Sequence, residues 1–470
     1  MGDKIITISP NNNEPILERV GPTEAELEGL LKNSLKAFTG YSKNFSLKQR
    51  QAIIKKALTL LSSKQDELAR ELTEQMGRPI AYTAKEIQTA IKRSEYLLKI
   101  SDDVFADTHG EPEEGFTRYI RKEPVGPVLI IFAWNYPYLI LVNALIPALL
   151  AGNSVILKPS PQTPTIAEHF QSILLEAGLP ADVVTFFHSG GMDATIPQIA
   201  IRSPIVKLIC FTGSVAGGLA VQGAASARVV PVGLELGGKD PAYIRPDVNL
   251  DWAAAEIVDG ALFNSGQSCC SVERVYVHQS IHDQFVLALQ NVLRSYKLGD
   301  PFDPNTHLGP VISSKSQQFI QEQVKEAIQA GAQDVTPENE SFQNLPAHGN
   351  YVKPALLIKV NHSMRVMKEE TFGPVIPVMA VKDDEEAIRL MNDSEFGLTA
   401  SIWTKDVPLG ERLSKEIEAG TVFVNRCDFP AADLAWTGWK NSGKGVTLSR
   451  FGFDQFIKLK SIHLKSYPHD

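Results

Sequence analysis

From Pro124 to Leu157 the chain carries no charged side chain. An uncharged run of that length suffices for a membrane span or for the buried centre of a large soluble fold. Its interior decides between them. Pro137, Pro147, Asn135, Asn143 and Asn153 interrupt it, and a lone helix in lipid has no partners for side-chain amides or for a broken backbone. The spacing instead predicts a buried strand (Val128–Phe132), a loop (Ala133–Tyr138), a helix (Leu139–Ala151) and a second strand (Ser154–Leu157), so no membrane partner is expected.

The alternation continues downstream. Thr163-Pro164 reads as an N-cap and first helical residue of a helix Thr165–Ala177 that stops at Gly178. Strands are expected at Val183–Phe187 and Val206–Phe211. Gly213 and a helix of small residues to Ala227 follow, then a strand Val229–Leu234. Short strands alternating with helices make βαβ units and a parallel sheet. A second α/β block runs from about Gly237 to Trp436, with helices Trp252–Asn264 and Ile281–Ser295 and strands Arg274–His278 and Gly420–Asn425.

Ahead of the sheet the chain reads helical. Ser46-Leu47-Lys48-Gln49 has capping-box spacing. Ile53, Ile54, Ala57, Leu58 and Leu61 recur at helical intervals, and Gly77 and Pro79 supply a stop. A further helical pattern spans Thr83 to Leu98. Thr117–Lys122 and Phe456–Lys465 stand apart, as strands that pair with a partner.

Composition narrows the function classes. A chain of 470 residues predicts two or three structural units. A net charge of -8 and a pI of about 5.8 argue against a nucleic-acid partner and an anionic membrane surface. Cys210, Cys269, Cys270 and Cys427 have neither disulfide-framework nor metal-ligand spacing. A reducing, cytoplasmic setting without a metal follows. MGDKIITISP lacks the layout of a signal peptide, and Ile6 stands where a myristoylation signal needs Ser or Thr. The sequons at Asn44, Asn339, Asn361 and Asn392 are read as chance.

Four segments carry chemistry. Gly266-Gln267-Ser268-Cys269-Cys270 follows a helix. A thiolate is the strongest side-chain nucleophile near neutral pH, although a free cysteine is more often a small buried hydrophobe. Leu234-Glu235-Leu236-Gly237-Gly238-Lys239-Asp240 ends an apolar strand on a glutamate. This is either a surface residue before a turn or a general base at a pocket mouth; the two glycines allow close backbone approach. Phe132-Ala133-Trp134-Asn135-Tyr136-Pro137 lies at the carboxyl end of a strand, where ligands bind in open α/β sheets. Asn135 there either bonds its own loop or donates to an oxyanion. Lys158-Pro159-Ser160 and Phe211-Thr212-Gly213-Ser214 end two further strands, the latter opening a helix suited to phosphate. No GxGxxG fingerprint is present. Gly438-Trp439-Lys440-Asn441-Ser442-Gly443-Lys444 matches a P-loop, but Gly445 follows where Ser or Thr must hold magnesium, so a nucleotide triphosphatase is rejected.

Taken together, and in order, these segments resemble the aldehyde dehydrogenase superfamily from about Phe38 to the C-terminus. FAWNYP is similar to the family's PWNFP-type segment and LKPSPQTP to its KPSEQTP-type segment. FTGS, ELGGK, GQSC, EETFGPV, FGLTASIW, GTVFVN and GWKNSGKG then follow in family order. Lys158 lies 23 positions after Asn135 and Cys269 lies 34 after Glu235, intervals that resemble the family's own.

The resemblance implies roles. Cys269 would be the nucleophile, Glu235 the base that activates water, and Asn135 with the Cys269 N–H the oxyanion hole. The cofactor, NAD or NADP, would lie along Trp134, Lys158, Ser160, Phe211, Gly213, Ser214 and Leu236. Lys158 would approach the adenine ribose, and Gly213 and Ser214 the pyrophosphate. Glu370 would hold the nicotinamide ribose, with Phe372 beside it. The implied reaction oxidises a small aldehyde to an acid through a thiohemiacetal and a thioester. Tyr136, Asn143, Ser268, Cys270, Cys427, Asp428 and Phe429 are the candidates for the aldehyde tunnel. No arginine clamp is evident beyond Arg426, so a neutral aldehyde is expected.

The implied fold is α/β in three parts. These are a Rossmann-like cofactor domain (1–103 and 125–236), a catalytic domain (237–436) and oligomerisation segments (104–124 and 437–470) that make a homodimer or homotetramer. Two departures stand out. Pro161 replaces the Glu that commonly binds the adenine ribose, so NADP is admitted beside NAD. Thr447-Leu448-Ser449-Arg450 replaces an Arg-Glu-rich run, which points to a specialised subfamily. A CoA-acylating member would typically lack Glu235, and a non-catalytic scaffold protein would have no need of Cys269, Glu235 and Asn135 together. A cofactor-free cysteine hydrolase leaves Lys158 and Glu370 unexplained.

Overall fold

A computed structural model describes residues 2–192 and 194–467. The uncharged run folds inside a sheet. Val128–Ile131 and Val155–Lys158 are fully buried neighbouring strands, and Pro137–Ala151 is the helix that connects them. No described helix is long and apolar enough to cross a membrane. The helix tolerates Pro137 because it stands in the first turn, where no intrahelical N–H is required. Gly152 ends it at φ 94°, a conformation that costs other residues more.

The completed sheet has six strands in the order Gly443–Lys444, Val232–Glu235, Leu208–Thr212, Val128–Ile131, Val155–Lys158, Val184–Phe186. All pairs are parallel except the first. A second sheet of seven strands is ordered Gln333–Asp334, Ala355–Ile358, Val375–Val381, Val272–His278, Asp240–Ile244, Thr399–Trp403, Thr421–Val424. Separate apolar clusters line the two sheets. Phe116–Pro124 and Ile457–Lys465 pair with each other in antiparallel register, and Thr108–His109 adds a third strand. These strands were expected to seek partners, and within the chain they are each other's.

Local signals hold well in the helical third. Ser46 forms both arms of its capping box on Leu47–Ser63, and Gly77 ends Gln65–Met76 at φ 78°. The single helical run expected there is two helices, divided at Lys64. The second pattern is longer than expected, at Ile80–Phe105. The expected cap at Thr163 is absent. Helix Thr165–Ala177 starts on Pro164, which already has helical dihedrals, and the Thr163 hydroxyl is buried without a partner among the described residues. An N-terminal hairpin, Lys4–Ile8 with Pro15–Val20, is an addition; its Thr7 hydroxyl donates to Pro161 O (2.8 Å).

Candidate active site

Helix Leu250–Leu262 starts on Asn249, whose side chain accepts from Trp252 N–H (3.0 Å). It runs into a 3-10 turn, Phe263–Gly266, in which Asn264 and Ser265 hold φ at 54° and 57°. Such values are uncommon outside glycine and cluster at functional sites. Buried hydrogen bonds hold the turn: Asn264 Nδ2 donates to Gln267 O (3.1 Å) and Ser265 Oγ to Gly309 O (2.8 Å). Cys269 leaves this turn half-buried, three residues before strand Val272–His278.

Glu235 arrives from the other sheet, as the last residue of Val232–Glu235. Thr212 Oγ1 donates to its Oε2 (3.2 Å) and Thr447 Oγ1 to its Oε1. Burial pushes the Glu235 acid up, while those two hydroxyls and the Arg93 charge push it back. The rejected P-loop segment has a structural task here. Gly443 pairs with Glu235, and Ser442 O accepts from Leu236 N–H (2.9 Å). Asn135 is buried, and its Nδ2 donates to Gln267 O (3.3 Å), which ties the strand-end loop to the cysteine turn.

Cys269 and Glu235 stand where two cavities meet. Ile140, Thr212, Leu236 and these two line both. The first cavity, of about 260 Å³, brings in Tyr136, Asn143, Ser268, Cys270, Asp428 and Phe429. Ser268 Oγ and Cys270 Sγ both donate to Asp428 Oδ1 (3.1 and 2.8 Å). Burial pushes the Asp428 acid up to about 7. Cys427 is elsewhere: its Sγ points to Glu256 O (3.6 Å) and packs over Gly260 of the preceding helix. Arg426 lies over the Phe429 ring (3.6 Å). The cations on this wall are others, Arg78, Lys85 and Arg93.

The second cavity, of about 400 Å³, brings in Trp134, Gly213, Ser214, Gly237, Glu370 and Phe372. Its chemistry fits a dinucleotide. Ser214 caps helix Val215–Ala225 through Gly217 N–H (3.2 Å), and the first turn of a helix offers unbonded N–H groups to phosphate. A Cβ on Gly213 would come within 2.7 Å of the Phe211 ring, and one on Gly237 would run into the Glu370 carboxyl. Glu370 accepts from Gly238 N–H (3.1 Å); burial, then the Glu273 charge, push its acid up to about 8. A carboxyl with so few partners suits sugar hydroxyls. Trp134 and Phe372 meet edge to face, 5.7 Å between centroids.

Lys158, Ser160 and Phe211 are off this wall. Lys158 is buried at its strand end, with Nζ 3.4 Å from the carbonyls of Pro159 and Ser189. Burial pulls its acid down to about 8. Ser160 Oγ accepts from Gln162 N–H (3.2 Å).

Sequence reasoning missed Thr212, Thr447 and the face of helix Ile80–Phe105. On that helix Tyr82, Glu86, Thr89 and Arg93 line the first cavity at intervals of three and four residues. That spacing places them on one face, and it was the available signal.

Known proteins share this arrangement of elements. The model of the aldehyde dehydrogenase family matches residues 1–462. Lactaldehyde dehydrogenase of Escherichia coli is 31% identical over 419 residues, covering 89% of this chain and 86% of its own. A succinate-semialdehyde dehydrogenase [NADP(+)] of Mycobacterium avium is 30% identical over 464 residues, covering 98% and 97%. Among solved structures, betaine aldehyde dehydrogenase of Staphylococcus aureus in complex with NAD+ superposes with a TM-score of 0.93 at 28% identity, covering 99% of this chain and 93% of that one. On the family match and these relatives, the chain belongs to the aldehyde dehydrogenase family.

Proposed function

We propose that the chain oxidises an aldehyde to a carboxylic acid with NAD or NADP, through covalent intermediates on Cys269. The observation that carries this reading is the position of Cys269 and Glu235 at the junction of two cavities, one polar and aromatic, the other glycine-lined. An aldehyde enters the first and the dinucleotide occupies the second.

The Cys269 thiolate adds through Sγ to the carbonyl carbon, and the C=O π electrons move onto the oxygen. Asn135 Nδ2 and the Cys269 N–H donate to the oxygen that becomes negative, and losing one such donor typically costs about a hundred- to a thousandfold in rate. When bound, a nicotinamide supplies acceptance of hydride from that carbon. What remains on Cys269 is a thioester. Glu235, in its ionised form, takes a proton from water, which attacks the thioester and releases the acid. Thr212 and Thr447 favour that ionised form, because each donates to the carboxylate. A base held at the junction favours hydrolysis over transfer to CoA. Gly213, Ser214 and Glu370 hold the dinucleotide, and Trp134, Leu236 and Phe372 flank it. Relatives in complex with NAD+ and with NADP+ support either nucleotide.

The same reading divides the chain into cofactor (1–103, 125–236), catalytic (237–436) and assembly (104–124, 437–470) parts. The antiparallel pair Phe116–Pro124 and Ile457–Lys465, with Leu459 and Leu464 exposed, supports self-association as a dimer or tetramer.

Reduced-nicotinamide formation, followed with a panel of aldehydes and each nucleotide in turn, tests the reading. Wild type turns over, and Cys269→Ala falls by at least about a thousandfold, as loss of a covalent nucleophile does. Failure to bind either nucleotide would overturn the assignment.

A further inference from the structure

Two arginines reach the aldehyde cavity from the helical third, in different circumstances. Arg78 is fully engaged. It pairs with Glu86, donates to Asn135 O and to Asn264 Oδ1 (3.3 Å), and lies over the Tyr136 ring (4.3 Å). Arg93 is only 5% exposed, yet it lines the cavity. Its hydrogen bonds among the described residues are Nη1 to Asn143 Oδ1 (2.9 Å) and Nη2 to Pro430 O (3.2 Å), and no carboxylate pairs with it.

A guanidinium has five N–H donors, so most of this one's capacity is free. A buried cation without a counter-ion is strongly unfavourable. Here burial draws the Arg93 acid down to about 10, partly offset at longer range by Glu235, Cys270 and Glu86, none of which pairs with it directly. The other acids on the wall are committed or balanced. Glu86 serves Arg78, Asp428 takes donors from Ser268 and Cys270, and Asp259 shares the wall with Lys85.

We infer that Arg93 is an anion subsite of the aldehyde cavity, and that the substrate class is a short aldehyde ending in a carboxylate. This deepens the dehydrogenase reading and rests on it. The planar fork of a guanidinium matches a carboxylate through two parallel hydrogen bonds, and Arg93 lines the same cavity of about 260 Å³ as Cys269, so a short chain would span the two. This departs from the neutral aldehyde expected from sequence. Arg426 lies over the Phe429 ring, whereas the guanidinium that lines the cavity is Arg93, on helix Ile80–Phe105.

Two measurements test the subsite. The first compares kcat/KM for two four-carbon aldehydes, one ending in a carboxylate and one in a methyl group, in wild type, Arg93→Lys and Arg93→Met. Wild type prefers the carboxylate, and Arg93→Met cuts the preference ratio about ten- to a hundredfold, with Arg93→Lys between. A wild-type preference for the methyl-ended aldehyde, or equal losses on both in Arg93→Met, would overturn the subsite. The second does not need turnover: the rate at which iodoacetate or iodoacetamide alkylates Cys269. Iodoacetate is favoured in wild type relative to Arg93→Met if the subsite exists, and an unchanged ratio contradicts it. Loss of aldehyde turnover in wild type with the alkylation preference intact would instead count against the dehydrogenase reading alone. Nucleotide binding by each variant checks its fold.

Discussion

The cleft built from Gly213, Gly237 and Glu370 and the cavity built from Arg93, Asn143 and Asp428 share Cys269, Glu235, Ile140, Thr212 and Leu236. The cleft is made at strand ends and turns, where the backbone itself is the constraint. A Cβ at Gly213 or Gly237 collides with Phe211 or Glu370. The cavity is made of side chains projecting from a helix face and from the loop after Asn425, where the helical backbone does not depend on which side chain it carries. Residues fixed by backbone geometry are restricted in type and so read as short motifs. Residues carried on the helix face shape what enters the cavity.

The contrast is sharpened first at the shared residues. Glu235→Gln keeps the shape of both sides and removes the base, so steady-state turnover falls about a hundred- to ten-thousandfold, the usual range for general-base loss. Rapid-mixing kinetics then show one burst of reduced nicotinamide per active site. Gly213→Ala acts on the cleft alone. The added methyl meets the Phe211 ring, so the KM for nucleotide rises about tenfold, one pocket clash being worth on the order of 1–3 kcal/mol, while the aldehyde KM stays within about twofold.

Smaller effects follow. Thr447→Val removes a donor that favours ionised Glu235. Burial already raises that acid, so losing the donor raises it further, and the acidic limb of the kcat–pH profile moves to higher pH. A profile that moves down or not at all contradicts the role of Thr447. Cys427→Ser is the smallest change. Its thiol faces Glu256 O and not the cavity, so kcat/KM for any aldehyde changes by less than about twofold; a larger change places Cys427 on the substrate path after all.

The boundary between what the sequence discloses and what it hides follows the same line. The βαβ alternation from Val128, the stop at Gly178 and the capping box at Ser46 are local signals, and the structure carries each of them. The cap expected at Thr163 fails because Pro164 is itself already helical and takes the boundary. The hairpin of Lys4–Ile8 and Pro15–Val20 was hidden because its second strand is partly exposed along its length and shows no clear alternation. At the site, Cys269, Glu235, Asn135, Gly213 and Glu370 were legible because each belongs to a short motif. Thr447, 212 positions beyond Glu235, becomes its partner only through the pairing of Gly443–Lys444 with Val232–Glu235. Arg93 reads in sequence as one more charge on an amphipathic helix. That it forms no salt bridge among the described residues is a property of the packed structure.

The central claim, that Cys269 carries the substrate covalently and Glu235 releases it, is tested most directly by mass spectrometry. Glu235→Gln is mixed with an aldehyde and nucleotide, quenched in acid and digested. The account predicts an acyl adduct on Cys269 in the peptide that spans Cys269 and Cys270, formed only when nucleotide is present and accumulating because hydrolysis is blocked. No adduct, or an adduct on Cys270 in its place, would contradict it.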